Sequence, residues 1–167
     1  MASTYEPIAT QTLGTAVASI EFTSIAADWT DLMLVVSLKQ NTTTTVTGAT
    51  TNVNSDYAAN YSNTNLYGNG SGAFSNRRTS VGAWYWLTDV PTTSYTNFTY
   101  QFMNYSNTTT YKTMLSRIDN AESSTIAQVG LWRSTAAITS VRMQGGDGGA
   151  DLLSVGSTFT LYGIAAA

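Results

Sequence analysis

The chain contains no histidine and no cysteine, and only two of its 167 residues are proline. Without imidazole or thiol there is no Ser-His-Asp triad, no Cys-His dyad, no thiol redox couple, and no zinc-finger or iron–sulfur ligation. Charge is equally scarce. Seven Lys plus Arg and ten Asp plus Glu make 10% of the chain and a net charge of -3, where a quarter or so is usual. Lysine is limited to Lys39 and Lys112, which leaves few candidates for a lysine nucleophile or a phosphate-binding lysine. Scattered arginines on an acidic chain form no basic stripe, which argues against nucleic acid as a partner. No apolar run approaches the roughly 18 residues a membrane-spanning helix needs, so no membrane partner is expected. The stretch from Met1 to Pro7 has neither the basic region nor the apolar core of a signal peptide. Six Asn-x-Ser/Thr sequons, at Asn41, Asn60, Asn69, Asn97, Asn104 and Asn107, are what chance gives in so polar a chain.

What fills the space is neutral and polar: 29 Thr, 18 Ser and 12 Asn. With 43% hydrophobic residues and little net charge, this is not the composition of a disordered chain. The length suits one domain, burying roughly 70% of the surface its unfolded chain exposes. Short Thr-, Val-, Ile- and aromatic-rich runs alternate with Asn/Gly/Ser clusters, a strand-and-turn pattern. Ile20 and Phe22 share a face, as do Phe98, Tyr100 and Phe102. Leu32, Leu34, Val36 and Leu38 alternate strictly, and Met33 and Val35 make the other face apolar, which predicts a central strand covered on both sides. Further strands are read at 81–87, 111–118, 125–132, 138–143 and 157–164, with no helical period anywhere. The expected fold is all-β: a single-domain antiparallel β-sandwich, jelly-roll-like, of about eight strands. An N-terminal arm is read over 1–17 and the sandwich over 18–167. Two long connections stand out, the polar stretch 39–63 and the glycine-rich 66–78.

Candidate sites are few. Gly145-Gly-Asp147-Gly-Gly-Ala-Asp151 and the trio Asn52, Asn54, Asp56 carry hard oxygens suited to Ca²⁺, but neither has the spacing of a calcium loop, and both read better as turns. Asp119 and Glu122 are a carboxylate pair in sequence, yet they sit in a tight turn near Arg117 and Arg133 rather than across a cleft. Gly68-Asn-Gly-Ser-Gly72 lacks the lysine and helix of a phosphate cradle and reads as a turn. No catalytic residue, cofactor or metal is expected. The candidate partner contacts are Arg77 and Arg78, the only adjacent cations, which read as a solvated loop tip or as a dock on a partner's acidic patch, and Trp84 and Trp86, spaced to share a strand face, which read as sugar platforms, as subunit-interface anchors or as part of the sandwich core.

Five segments are similar to small virion structural proteins of tailed bacteriophages: Ala18-Ser-Ile-Glu-Phe-Thr-Ser-Ile25, Trp29-Thr-Asp-Leu-Met-Leu34, Asn60-Tyr-Ser-Asn-Thr-Asn-Leu-Tyr-Gly-Asn-Gly-Ser71, Gly130-Leu-Trp-Arg-Ser-Thr-Ala-Ala-Ile-Thr-Ser140 and Gly156-Ser-Thr-Phe-Thr-Leu-Tyr-Gly-Ile164. The resemblance implies a β-sandwich on the virion surface, made in the host cytoplasm. The expected role is a non-enzymatic capsid cement or decoration protein, a homotrimer bound to the major capsid protein outside the shell. The alternative is a tail-fibre or adhesin component that binds host-surface glycan, with Trp84 and Trp86 as sugar platforms. The absence of a repetitive or coiled-coil shaft favours the capsid.

Overall fold

The computed structural model describes residues 4–41, 48–85, 90–120, 122–146 and 152–165. Over these the chain is all-β, an antiparallel sandwich of twelve strands. They are β1 (Tyr5–Thr12), β2 (Ser19–Phe22), β3 (Asp31–Leu38), β4 (Ala49–Val53), β5 (Tyr61–Gly68), β6 (Ala73–Val81), β7 (Trp84–Tyr85), β8 (Thr96–Met103), β9 (Lys112–Asn120), β10 (Ser124–Trp132), β11 (Val141–Gly145) and β12 (Thr158–Ile164). Eight form one sheet in the order β1-β12-β3-β8-β9-β10-β5-β6, and four form the other in the order β2-β11-β4-β7.

The period-2 pattern builds the core directly, because alternate side chains of a strand point to opposite faces. Leu32, Leu34, Val36 and Leu38 of β3 face inward beside Phe98, Tyr100 and Phe102 of β8 and Phe159 and Leu161 of β12. The small sheet answers with Ile20 and Phe22 from β2, Val141 and Met143 from β11, and Val53 from β4. Trp84 is wholly buried, edge-on to Tyr61 at 5.0 Å between ring centroids.

Four expectations change. Residues 5–12, read as part of an N-terminal arm, run as edge strand β1, paired with β12 from Tyr5 opposite Ile164 to Thr12 opposite Thr158. The stretch 39–63 is not one connection, since β4 lies within it and β5 begins at Tyr61. All five residues of β4 are buried, three of them polar: Thr51 donates from Oγ1 to the Tyr100 hydroxyl at 2.8 Å, and Asn52 from Nδ2 to the Asp56 carbonyl at 3.2 Å. The stretch 66–78 is the heart of a hairpin, β5 to β6, turning at Gly70 with φ +81°. Finally, β3 is central in its sheet but covered on one side only, for Val35 stands exposed on the outer face.

Candidate functional site

The outer face of the large sheet is where the fold leaves apolar side chains in solvent. Val129 of β10 lies directly opposite Leu115 of β9, and Ala127 opposite Leu66 of β5. Exposure is 44% at Val129, 43% at Leu115, 63% at Leu66 and 40% at Val35. Leu66, Leu115, Ala127 and Val129, with Thr64, line a shallow depression of about 390 Å³. Leu115 also lines a second of about 180 Å³ with Met33, Thr99, Gln101 and Arg117. The two join into one surface through Leu115. The Arg117 guanidinium beside it meets the exposed Asp119 carboxylate at 3.4 Å. Chemically this surface can exclude water against another apolar surface; among the described residues no carboxylate lines it.

The interior of the β5, β6 and β10 end is polar by contrast. Gln128 donates from Nε2 to Asn65 Oδ1 at 2.6 Å and to the Tyr85 carbonyl at 2.9 Å, and Asn65 donates to Asn76 Oδ1 at 3.0 Å. Beside them the Asn63 side-chain amide and the Trp84 indole N–H are buried with no hydrogen-bond partner among the described residues. Both flank Gly130, where a Cβ would sit 2.5 Å from Trp84 Nε1. Buried groups of this kind are few in folded proteins, and the network fixes how β5 and β7 meet across the sandwich.

The partner-contact candidates scatter. Arg77 and Arg78 are not a loop tip but mid-strand neighbours in β6, so they point to opposite faces: Arg77 is exposed, and Arg78 stacks over the Tyr85 ring at 4.8 Å. Trp84 faces the core, wholly buried, with Tyr61, Phe102 and Gly130 among its neighbours. Trp86 lies outside the described residues, as do Asp147 and Asp151.

The other oxygen-rich trio is spent on structure. Asn54, in the left-handed region at φ 52°, accepts from the Thr139 and Ser140 amides. Asp56 accepts from the Ala58 amide, Asn60 and the Trp132 indole. Burial pushes the Asp56 carboxyl up, but these three donors together outweigh it and hold it below the usual carboxylate range. Asp119 accepts from Thr125 Oγ1 at 2.9 Å and Glu122 from Ser94 Oγ at 2.9 Å. Among the described residues no three of His, Cys, Asp and Glu gather as metal ligands would. Lys112, 1% exposed, donates from Nζ to the Thr110 and Thr135 carbonyls, and burial lowers its pKa. It staples two loops together. No residue type or spacing announced the outer face beyond Met33 and Val35, whose apolar side was taken for a covered one.

No protein-family model and no curated protein matches the chain. Among solved structures it is similar to a protein of unknown function from Shewanella oneidensis MR-1, at 11% identity and a TM-score of 0.23 over 98% of this chain and 77% of that one. A likeness that weak fixes neither fold nor function.

Proposed function

We propose that this chain is a non-enzymatic structural protein that works by surface contact: a jelly-roll-like capsid cement or decoration protein of a tailed bacteriophage. In this reading it forms a homotrimer, sits outside the shell and bridges neighbouring capsid subunits. The observation that carries the reading is the apolar outer face, where Leu66, Leu115, Val129 and Val35 stand in solvent across the middle of the large sheet. Leu66, Leu115 and Val129 gather with Ala127 around one depression, and a cluster of exposed apolar side chains marks an interaction site. A protein that binds only the assembled lattice stabilises it by mass action, by about 2.7 kcal/mol per site at a hundredfold excess over Kd. Symmetric repetition multiplies such contacts through effective concentration.

The test is the copy number of this protein in purified virions, counted by quantitative mass spectrometry. Hundreds of copies are expected. A few dozen or fewer sinks the capsid reading.

The second reading, a tail-fibre or adhesin component that binds host glycan, is favoured by the opposite side of the molecule. There the exposed Tyr57 receives a hydrogen bond from Arg142 at 2.9 Å, beside a depression of about 150 Å³ lined by Thr50, Asn52, Tyr85 and Gln144. An aromatic ring among amides and hydroxyls suits a sugar. Glycan-array binding lost on Tyr57→Ala supports it.

A further inference from the structure

The large sheet ends in two unlike edges. Strand β1 carries Pro7, and its register with β12 slips between Pro7 and Ala9, so it offers an interrupted ladder. Proline and bulges are the usual ways a sheet edge is closed to further pairing. Strand β6 has neither over residues 73–79, where its register with β5 is regular; the irregularity comes only at Ser80, whose φ is +56°. Among the described residues no strand pairs with its far side. Alternate residues of β6 therefore turn their N–H and C=O groups outward, ready for another strand.

The side chains state what that strand is. β6 reads Ala-Phe-Ser-Asn-Arg-Arg-Thr-Ser-Val, with two cations and no carboxylate. Arg77 lies on the outer face, while Arg78 is braced on Tyr85 on the inner one. Phe74, half exposed, stacks on Tyr67 at 5.2 Å near the hairpin tip. A second copy of β6 is a poor occupant, because self-pairing gathers four guanidinium groups on one short ribbon with nothing to offset them. Nor does any other segment of this chain serve, since it contains no two adjacent acidic residues.

We propose that the β6 edge is a strand-addition site for an extended acidic segment of another protein. Antiparallel addition places two consecutive carboxylates opposite Arg78 and Arg77, and an apolar residue three places beyond the second carboxylate, opposite Phe74. Main-chain bonds hold such a segment and the alternating side chains select it, with Arg–carboxylate forks setting the register. This site is independent of the apolar face and of where the protein is used.

The test is fluorescence polarisation of the full-length protein with a blocked peptide, Thr-Glu-Glu-Thr-Val-Phe-Thr. A control peptide carries Lys-Lys in place of Glu-Glu. Saturable binding of the acidic peptide is expected, weakening with salt. The double variant Arg77→Glu, Arg78→Glu should lose about tenfold or more in affinity and gain the Lys-Lys peptide. Of two versions N-methylated at alternate residues, one should bind and one should not. Equal binding by wild type and double variant overturns the proposal, as do binding by both N-methylated versions and absence of binding. A dimer of the protein that competes with the peptide replaces the acidic partner with a second copy.

Discussion

The Trp132 indole N–H donates to Asp56 Oδ2 at 2.7 Å, tying the last residue of β10 in the large sheet to the turn that leaves β4 in the small one. The same turn holds Tyr61, whose hydroxyl receives the Val53 amide at 3.1 Å and whose ring stacks on Trp132. Asp56 is thus a joint between sheets, built from Asn54 and Ser55 in the left-handed region and from three donors, Ala58 and Asn60 in its own turn and Trp132 at the end of β10. Asp56→Ala leaves the Trp132 and Asn60 donors without their acceptor and should cost about 1–3 kcal/mol, read as a drop in urea midpoint at unchanged slope. Asp56→Asn keeps one acceptor oxygen and should cost less.

The same joint should show in acid. Its folded pKa lies below the unfolded one, so the charged carboxylate's stabilisation is present above about pH 4 and is lost as pH falls through the folded value. Asp56→Asn should flatten the acid limb of a stability profile. An unaltered limb would show that Asp56 contributes no charge-dependent stability.

Gly130 makes a packing prediction. A Cβ there would meet Trp84 Nε1 at 2.5 Å and the Met114 methyl at 2.9 Å, so Gly130→Ala forces the buried indole out of place. Overpacking of this kind costs about 1–3 kcal/mol. Gly14→Ala, with open space around its position, is the control and should be close to neutral. Tryptophan emission should shift in the first variant and not in the second.

These features show why part of the fold was legible and part was not. The run Leu32 to Leu38 announced its strand because apolar residues alone filled its inward positions. β5 did not announce itself, because Asn63 and Asn65 stand inward where a leucine would signal a core; Asn65 is matched by Asn76 on the next strand and by Gln128, 63 residues away in sequence. β4 hid for the same reason, with Thr51 answered by the Tyr100 hydroxyl. Trp84 takes the core place that its sequence left open beside a surface one, because an aromatic pair in a polar stretch suits an interface anchor and a core residue alike. The Gly130 notch on β10, with the Tyr61 and Phe102 rings, is what receives the indole. The outer face escaped because β3 is apolar on both sides, and periodicity cannot tell a covered face from one that awaits a partner.

Alkali should unfold the protein through its tyrosines. Burial raises the pKa of Tyr61, Tyr100 and Tyr105, so the native state keeps protons that the unfolded chain releases. Their stabilisation is complete below the unfolded value of about 10 and is lost as pH rises above it. The thermal midpoint should fall there, together with a cooperative rise in tyrosinate absorbance. Tyr100→Phe, which also removes the partner of Thr51, should lower stability at neutral pH and make the alkaline fall shallower. Gradual, non-cooperative ionisation of all ten tyrosines would contradict this.

Val129 and Leu115 face each other across β10 and β9 in solvent, so replacing them tests the face without opening the core. Val129→Lys and Leu115→Glu remove about 1–2 kcal/mol each of apolar contact from any docked surface and set two charges where water must leave, of opposite sign so that the facing pair does not strain the sheet. Folding should barely respond, because neither side chain packs inward; an unchanged urea midpoint and far-ultraviolet spectrum are expected. Binding should respond strongly. On the capsid reading proposed above, labelled wild-type protein added to virions stripped of it should co-sediment with the particles, and the double variant should remain in the supernatant. The trimer proposed for the free protein, once seen in sedimentation equilibrium of the wild type, separates two roles for the face. If the variant is monomeric in sedimentation equilibrium, the face joins copies of this chain. If it stays trimeric yet leaves the particle, the face docks on the capsid. A variant that is both trimeric and particle-bound removes the apolar face from the function altogether.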